Sequence, residues 1–477
     1  MELAINKASR VRFSRWLWAL SKEECVEYKR AQNPCQIWDR GFDKPPWPIY
    51  LAIADLGIQI ADSLTLLSLS PKRRIVIGSA FHSAFRNPRS VIAMLPSLST
   101  EFERLRSEGL YRSLRQVEGP PGPHCRVMGV EYLNFCSNDY LGLATHPTLK
   151  AAAAKALEVY GCSATASRLL SGSMPPHEEL ETRLADFLNT EAALTFPTGY
   201  MANLGAITSL AGSEDVIFSD RLNHASIVDG CRLSRAKIIV YDHCDPNHLE
   251  ELMQSTSNIR RRVIVTDGVF SMDGDVAPLP EIIEIAQRNN AILIVDDAHA
   301  TGVLGPNGRG SPEHFDLPGV DVLTSSGSIA LGSTGGFVAG RQDLIDLLIN
   351  RARTFVYTTA LSPDACAATA AALDLINADP SIRGRLWRNL QIAREGLCRL
   401  EFDLMNSRTQ IIPILIGDPN RTMAISEALL EQRILLSGIR PPTVPENQSR
   451  LRLSLTSEHS QEDIEHLLEA LETVRSI

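Results

Sequence analysis

The chain has 477 residues, with 47 Lys+Arg against 56 Asp+Glu, a net charge of −9 at pH 7, and 44% hydrophobic and 22% charged residues. Those fractions describe a globular chain of roughly two to four domains with ample core, and the acidic balance excludes a general electrostatic footprint for nucleic acid. Only eight of the basic residues are lysines and none follows Lys237, so chemistry that needs a lysine amine is excluded from the last 240 residues.

Residues 1–95 form an N-terminal extension with four of the five tryptophans (Trp16, Trp18, Trp38, Trp47), Pro-rich stretches and no sustained period. Three readings stand for it: an appended docking segment, an extra domain, or sequence upstream of a true start at Met94. The first residues lack a basic region followed by an apolar stretch, so they do not read as a secretory signal. The best membrane candidate, residues 50–70, is interrupted by Asp55, Gln59 and Asp62. Each charge costs about 2.5–3.5 kcal/mol at a bilayer centre, which argues against a spanning helix. Nine cysteines form no Cys-x-x-Cys pair and are odd in number. That pattern points away from metal frameworks and disulfide scaffolds, and toward reduced thiols in the cytoplasm.

Residues 96–145 read as an N-terminal arm. Ser99-Thr100-Glu101 opens a helix with apolar Phe102 and Leu105 and a stop at Gly109; a turn follows at 119–123 and a short strand at 131–135. Residues 146–370 alternate helical and strand signals. An Ala-rich helix covers 149–159, and residues 215–218, 237–241, 262–266 and 291–295 are short apolar runs flanked by polar residues. Runs of that kind separated by helices predict a parallel sheet covered on both faces, with ligands at the carboxyl ends of the strands. Asp267 and Asp296 each lie just beyond such a run. Residues 371–477 read as a small α+β domain. It holds an Ala-rich helix, apolar runs at 409–416 and 450–455, a helix near 424–431 and a final helix with Ile464, Leu467, Leu468 and Leu471.

Five segments carry chemistry. Ser137-Asn-Asp-Tyr-Leu-Gly-Leu precedes the sheet. Phe196-Pro-Thr-Gly-Tyr opens a helix whose first N–H groups can hold a phosphate. Ser219-Asp-Arg-Leu-Asn-His contains His224; Thr266-Asp-Gly-Val-Phe-Ser carries Asp267 and Ser271; Val295-Asp-Asp-Ala-His carries Asp296 and His299. A strand-end carboxylate can keep a pyridine nitrogen protonated, one imidazole can stack on the ring, and another can donate to a phenolic oxygen. Singly, each has a plainer reading, an aspartate as a helix cap and a histidine as a solvated or satisfied residue.

Together these segments resemble the α-oxoamine synthases, fold-type I pyridoxal-phosphate enzymes that condense an amino acid with an acyl thioester and release carbon dioxide. The resemblance runs from about Glu101 to Val474 and implies an α/β transferase with a mostly parallel central sheet and a small C-terminal α+β domain. It also implies a homodimer with its sites between subunits, and residues 146–370 as the cofactor-binding domain. Gly438-Ile-Arg-Pro-Pro-Thr-Val-Pro and Arg450-Leu-Arg-Leu-Ser-Leu-Thr are most similar to the branch that joins L-alanine to a pimeloyl thioester, carried by acyl carrier protein or coenzyme A, in biotin biosynthesis. By the same resemblance, Gly199 and Tyr200 place N–H groups at the cofactor phosphate, with Ser326 a further phosphate ligand. His224 stacks on the ring and faces substrate, Ser271 and His299 serve the phenolic oxygen, and Asp296 pairs with the pyridine nitrogen. Arg452 clamps the amino-acid carboxylate, a role suited to a bidentate fork, and Thr443 and Arg112 contact substrate.

Ser163 stands where a second glycine is common in the family's Gly-rich segment, a mild departure, and one position departs seriously. Members carry Ser/Gly-Lys-Ala-Leu/Phe-Gly followed by Gly-Gly, and that lysine forms a Schiff base with the cofactor and takes the substrate's Cα proton. Here the stretch is Ser325-Ser-Gly-Ser-Ile-Ala-Leu-Gly-Ser-Thr-Gly-Gly, with Ile329 at the lysine position and no later lysine to replace it. General-base catalysis alone is typically worth about 10²–10⁴-fold, and the flanking Ser326 and Ser328 hydroxyls are too weakly basic near neutral pH to stand in. The expectation is noncovalent, weakened binding of pyridoxal phosphate and synthase activity severely reduced or absent. Two alternatives remain: a noncatalytic subunit of the same fold paired with a lysine-bearing relative, and an α-oxoamine synthase with another amino acid or acyl thioester.

Overall fold

The computed structural model describes residues 98–477 apart from 109, 258 and 476, so the readings made for residues 1–95 lie outside the described residues. The chain divides into two compact units, one ending at Arg112 and the other running from Ser113 to Ile477. The described part of the first is helix α1 (Ser99–Ser107) and the turn after it, where the Phe102 and Tyr111 rings meet edge to face at 6.3 Å.

The second unit opens with an antiparallel ladder of β1 (Val117–Glu118), β2 (His124–Val127) and β3 (Val130–Asn134). Its centre is a seven-stranded sheet. The strands are β4 (Ala192–Phe196), β5 (Val216–Asp220), β6 (Lys237–Tyr241), β7 (Arg262–Asp267), β8 (Ala291–Asp296), β9 (Val322–Ser326) and β10 (Gly336–Gly340). They lie in the spatial order β4-β10-β9-β8-β7-β5-β6. Neighbours from β6 through β9 pair in parallel and β10 runs antiparallel to both of its neighbours, the mostly parallel sheet that the apolar runs predict.

Alternation along these strands builds the layers. Val263, Val265 and Ile294 enter one apolar cluster, with Ala206 and Ile207 of the helix Gly199–Leu210. Ile264, Leu293 and Val295 enter the opposite cluster, with Leu279 and Ile282 of the helix Leu279–Arg288. Successive side chains point to opposite faces of a strand, so a run of consecutive apolar residues requires cover on both sides. Strands β9 and β10 are wholly buried yet contain Thr324, Ser325, Ser326, Gly336 and Gly340. Their hydroxyls and glycines interrupt the apolar signal, which is why the sequence pattern does not announce them.

The C-terminal elements include β11 (Ile411–Gly417), β12 (Ile434–Leu435), β13 (Ser437–Ile439) and β14 (Ser449–Ser454). β12 pairs in parallel with β3, and β14 lies between β11 and β13. Every residue of β14 is buried, including Arg450 and Arg452, which reach the loop that follows β7.

Candidate active site

The site is built on strand ends. β7 and β8 stop in register at Asp267 and Asp296, both buried. Asp296 Oδ2 accepts from Asn203 Nδ2 at 2.6 Å and Oδ1 from the Ala298 N–H at 3.0 Å. Asp267 Oδ2 accepts the His224 N–H at 2.7 Å. Burial raises the pKa of both carboxyls, and for Asp267 the charge of Asp296 adds to it. A protonated ring nitrogen brought to Asp296 would oppose the effect of burial and favour its carboxylate form.

His224 caps the helix Ala225–Ser234 from an exposed position, its Nδ1 2.7 Å from Ser226 Oγ. His299, the residue after Ala298, has Nδ1 2.8 Å from Tyr140 Oη. Burial, then the charges of Arg452 and His224, push the His299 pKa down to about 3, while burial raises that of Tyr140. Both therefore stay neutral near pH 7. The Tyr140 O–H is also 3.3 Å from Asn138 Oδ1, and the neutral His299 ring carries one proton, leaving one nitrogen a donor and the other an acceptor.

The helix start that the sequence reading assigns to a phosphate lies where β4 turns into the helix Gly199–Leu210. Thr198 caps that helix by accepting the Met201 N–H at 3.1 Å. A Cβ on Gly199 would stand 3.1 Å from Ser326 Cβ and 3.4 Å from its Oγ, so glycine keeps the space beside that hydroxyl open. Tyr200 follows in the first turn, its hydroxyl bonded to Asp229. Ser326 Oγ donates to the Gly335 carbonyl at 3.0 Å and lies 2.7 Å from Ser328 Oγ.

Arg452 reaches across from β14. Its Nε donates to the Ser271 carbonyl at 2.5 Å, one terminal nitrogen donates to Ser454 Oγ at 2.8 Å, and both terminal nitrogens lie 3.3 Å from Asn138 Oδ1. These contacts bring Ser271, Arg452 and the Ser137–Tyr140 segment together. Thr443 is exposed beyond the cis Pro441–Pro442 bond, and exposed Arg112 belongs to the first unit. Ile329 is half-buried with its side chain packed against the main core, and its carbonyl accepts the Gly332 N–H at 3.1 Å. Nothing at that position offers a nucleophile or a base.

Asn203, Tyr140 and Asn138 are the residues that sequence reasoning passed over. An asparagine inside the apolar helix Gly199–Leu210 was the available signal, since a buried amide needs partners. Tyr140 and Asn138 lay within a noted segment, but their partners are more than a hundred residues away.

A glycine-lined helix start beside a buried serine, and an aspartate at a strand end with two of its donors fixed, fit the phosphate and the ring nitrogen of pyridoxal phosphate. This fold and site define a transferase of aminotransferase class I and II, whose family model matches residues 130–471. More narrowly, the chain belongs to the α-oxoamine synthase family of pyridoxal-phosphate-dependent acyltransferases, in the branch of the 8-amino-7-oxononanoate synthases. It is 49% identical over 381 residues to the 8-amino-7-oxononanoate synthase of Geobacter sulfurreducens, covering 79% of this chain and 97% of that one. Among solved structures, the 8-amino-7-oxononanoate synthase of Francisella tularensis superposes with a TM-score of 0.64 at 30% identity, over 72% of this chain and 98% of that one. A lysine-to-alanine variant of serine palmitoyltransferase from S. paucimobilis, with a bound pyridoxal-phosphate–myriocin aldimine, superposes with a TM-score of 0.75 at 30% identity, over 80% of this chain and 96% of that one.

Proposed function

We propose that this chain is a homodimeric, cytoplasmic protein of the 8-amino-7-oxononanoate synthase type. It recognises L-alanine and a pimeloyl thioester and holds pyridoxal phosphate without a covalent bond, so that turnover is severely reduced or absent. The observation that carries this reading is Ile329 at the lysine position of an otherwise fitting site. Pyridoxal phosphate, when held here, supplies the electron sink for decarboxylative carbon–carbon bond formation.

The chain's own residues divide the remaining work. Gly199, Tyr200 and Ser326 hold the phosphate, Asp296 keeps the ring nitrogen protonated, His224 covers the ring, and Ser271 with neutral His299 donates to the phenolic oxygen. Arg452 binds the substrate carboxylate, and the family resemblance gives Thr443 and Arg112 the role of substrate contacts. The lysine-to-alanine serine palmitoyltransferase variant that still holds a cofactor adduct supports retention of the cofactor without the amine.

The apolar side chains of Leu169, Leu170 and Tyr357, at 50%, 82% and 72% exposure, support a subunit interface. The same exposed side chains, with Ile329, favour a second reading in which this chain pairs with a lysine-bearing relative as a noncatalytic subunit. Titration with pyridoxal phosphate followed by dialysis, and carbon dioxide release from L-alanine with pimeloyl thioester, tests the first reading. Saturable binding that is lost on dialysis, with no turnover above background, is expected. Turnover at the rate of a lysine-bearing synthase contradicts it.

A further inference from the structure

One half-buried side chain joins the loop that leads to His224 and the loop that carries Ser271. His243, two residues past β6, has Nδ1 2.9 Å from Asp220 Oδ1 and Nε2 2.8 Å from Asp275 Oδ2. A neutral imidazole donates from one nitrogen only, so two carboxylate partners require the doubly protonated ring. Burial would lower the pKa of His243, and the hydrogen bonds to Asp220 and Asp275 override it and push it up to about 12. Phe270 packs edge-on against the ring, with centroids 4.4 Å apart.

The two acids belong to different loops. Asp220 ends β5 and accepts the N–H groups of Leu222 at 2.8 Å and Cys244 at 2.9 Å, which fixes the turn leading to His224. Asp275 closes the loop after β7, where its carbonyl accepts the Phe270 N–H at 3.1 Å, one residue before Ser271. We infer that His243 is a positioning residue: clamped between Asp220 and Asp275, it sets the separation of the His224 loop from the Ser271 loop, and with it the slot that receives the cofactor ring.

Asp220, His243 and Cys244 also bring three ligand-type atoms within 4.8 Å of one another. With both ring nitrogens committed to carboxylates, His243 has no lone pair for a metal. The Cys244 thiol, its pKa raised by burial, stays protonated, so the histidinium is itself the cation of the cluster.

The inference rests on the pyridoxal-phosphate reading, and its test separates the two. His243→Gln keeps one hydrogen bond and removes the charge. The full chain is titrated with pyridoxal phosphate, and separately with inorganic phosphate as competitor, because the phosphate cradle lies on β9 and the turn after β4, away from His243. The variant is expected to bind pyridoxal phosphate about 10-fold more weakly, the equivalent of one lost charge-assisted contact. Its phosphate competition constant is expected to stay within about twofold of wild type, and the induced circular dichroism of the bound cofactor to fall. Equal affinity for pyridoxal phosphate, or parallel loss of both ligands, overturns the inference. Where His243→Gln does not fold, Asp275→Asn is expected to give the same selective loss, and unchanged binding overturns the inference in turn. A wild-type chain that takes up no pyridoxal phosphate contradicts the cofactor reading and the inference with it.

Discussion

Asn203 is the residue that aims Asp296: its Nδ2 donates to Asp296 Oδ2 at 2.6 Å while its Oδ1 accepts from Thr324 Oγ1 at 2.6 Å. The amide is thus held from the neighbouring strand β9, and the carboxylate has one oxygen fixed by a side chain and the other by the Ala298 N–H. Asn203→Leu keeps the volume and removes the donor. A hydrogen bond to a charged group is worth about 1.5–3 kcal/mol, so pyridoxal phosphate should bind about 10–100-fold more weakly. Isothermal titration measures this, and unchanged affinity would separate Asp296 from cofactor binding.

His299 gives a pH signature. Its pKa is about 3 in the fold against 6.5 for the free side chain, so between those values the unfolded chain binds a proton that the native chain does not. Its contribution to stability is therefore full above pH 6.5 and falls as pH drops toward 3, by about 1.4 kcal/mol for each pH unit crossed. His299→Phe cannot titrate. The melting-temperature gap between wild type and this variant should shrink from about pH 7.5 to about pH 4.5. A gap that does not move with pH counts against a neutral, buried His299.

Arg450 is fully buried and its Nη1 lies 2.5 Å from Asp273 Oδ1, which ties β14 to the loop that carries Ser271. Removing one partner of a buried pair leaves an uncompensated charge and costs about 3–5 kcal/mol, whereas replacing both by apolar residues is often near neutral. Urea denaturation of Asp273→Ala should show that loss, and Arg450→Met with Asp273→Leu should recover most of it. A double variant no more stable than Asp273→Ala would mean that the pair is not an independent unit.

Gly336 faces the turn that makes the phosphate cradle. A Cβ there would lie 2.4 Å from Gly199 N, 2.5 Å from Gly199 Cα and 2.5 Å from the Thr198 carbonyl carbon. All three are backbone atoms, so the cradle has to shift. Gly336→Ala should cost about 1–3 kcal/mol of stability and weaken phosphate competition. Gly384, inside the helix Ser381–Arg399 with nothing within 4 Å of an added Cβ, is the control, and Gly384→Ala should stabilise by about 0.5–1 kcal/mol.

What the sequence makes legible follows from where the signals are local. The runs that become β5 to β8 are consecutive apolar residues ended by polar ones, and a parallel sheet places functional groups at those ends, so Asp267 and Asp296 could be named before the fold was known. Gly199 and Ser326 were readable through motif resemblance, and the structure sets them side by side. The roles of Asn203, Tyr140 and His243 were not readable. Asn203 and Tyr140 meet partners that lie 93 and 159 residues away, and the partners of His243 lie 23 and 32 residues away. β9 and β10 escaped notice because Ser, Thr and Gly occupy buried positions, where hydrogen bonds and close packing replace apolar bulk. Ile329 is the reverse case: its importance comes from the amine it lacks, which no contact in the fold reveals.

The most direct test is borohydride reduction of the chain saturated with pyridoxal phosphate, followed by intact-mass measurement and peptide mapping, alongside Ile329→Lys. Wild type should keep its unmodified mass and lose its cofactor absorbance on dialysis. Ile329→Lys should gain one reduced cofactor at position 329, with the matching absorbance band and L-alanine-dependent carbon dioxide release. A reduced cofactor fixed at a defined residue of the wild-type chain, surviving dialysis, would contradict a site that holds pyridoxal phosphate without a covalent bond.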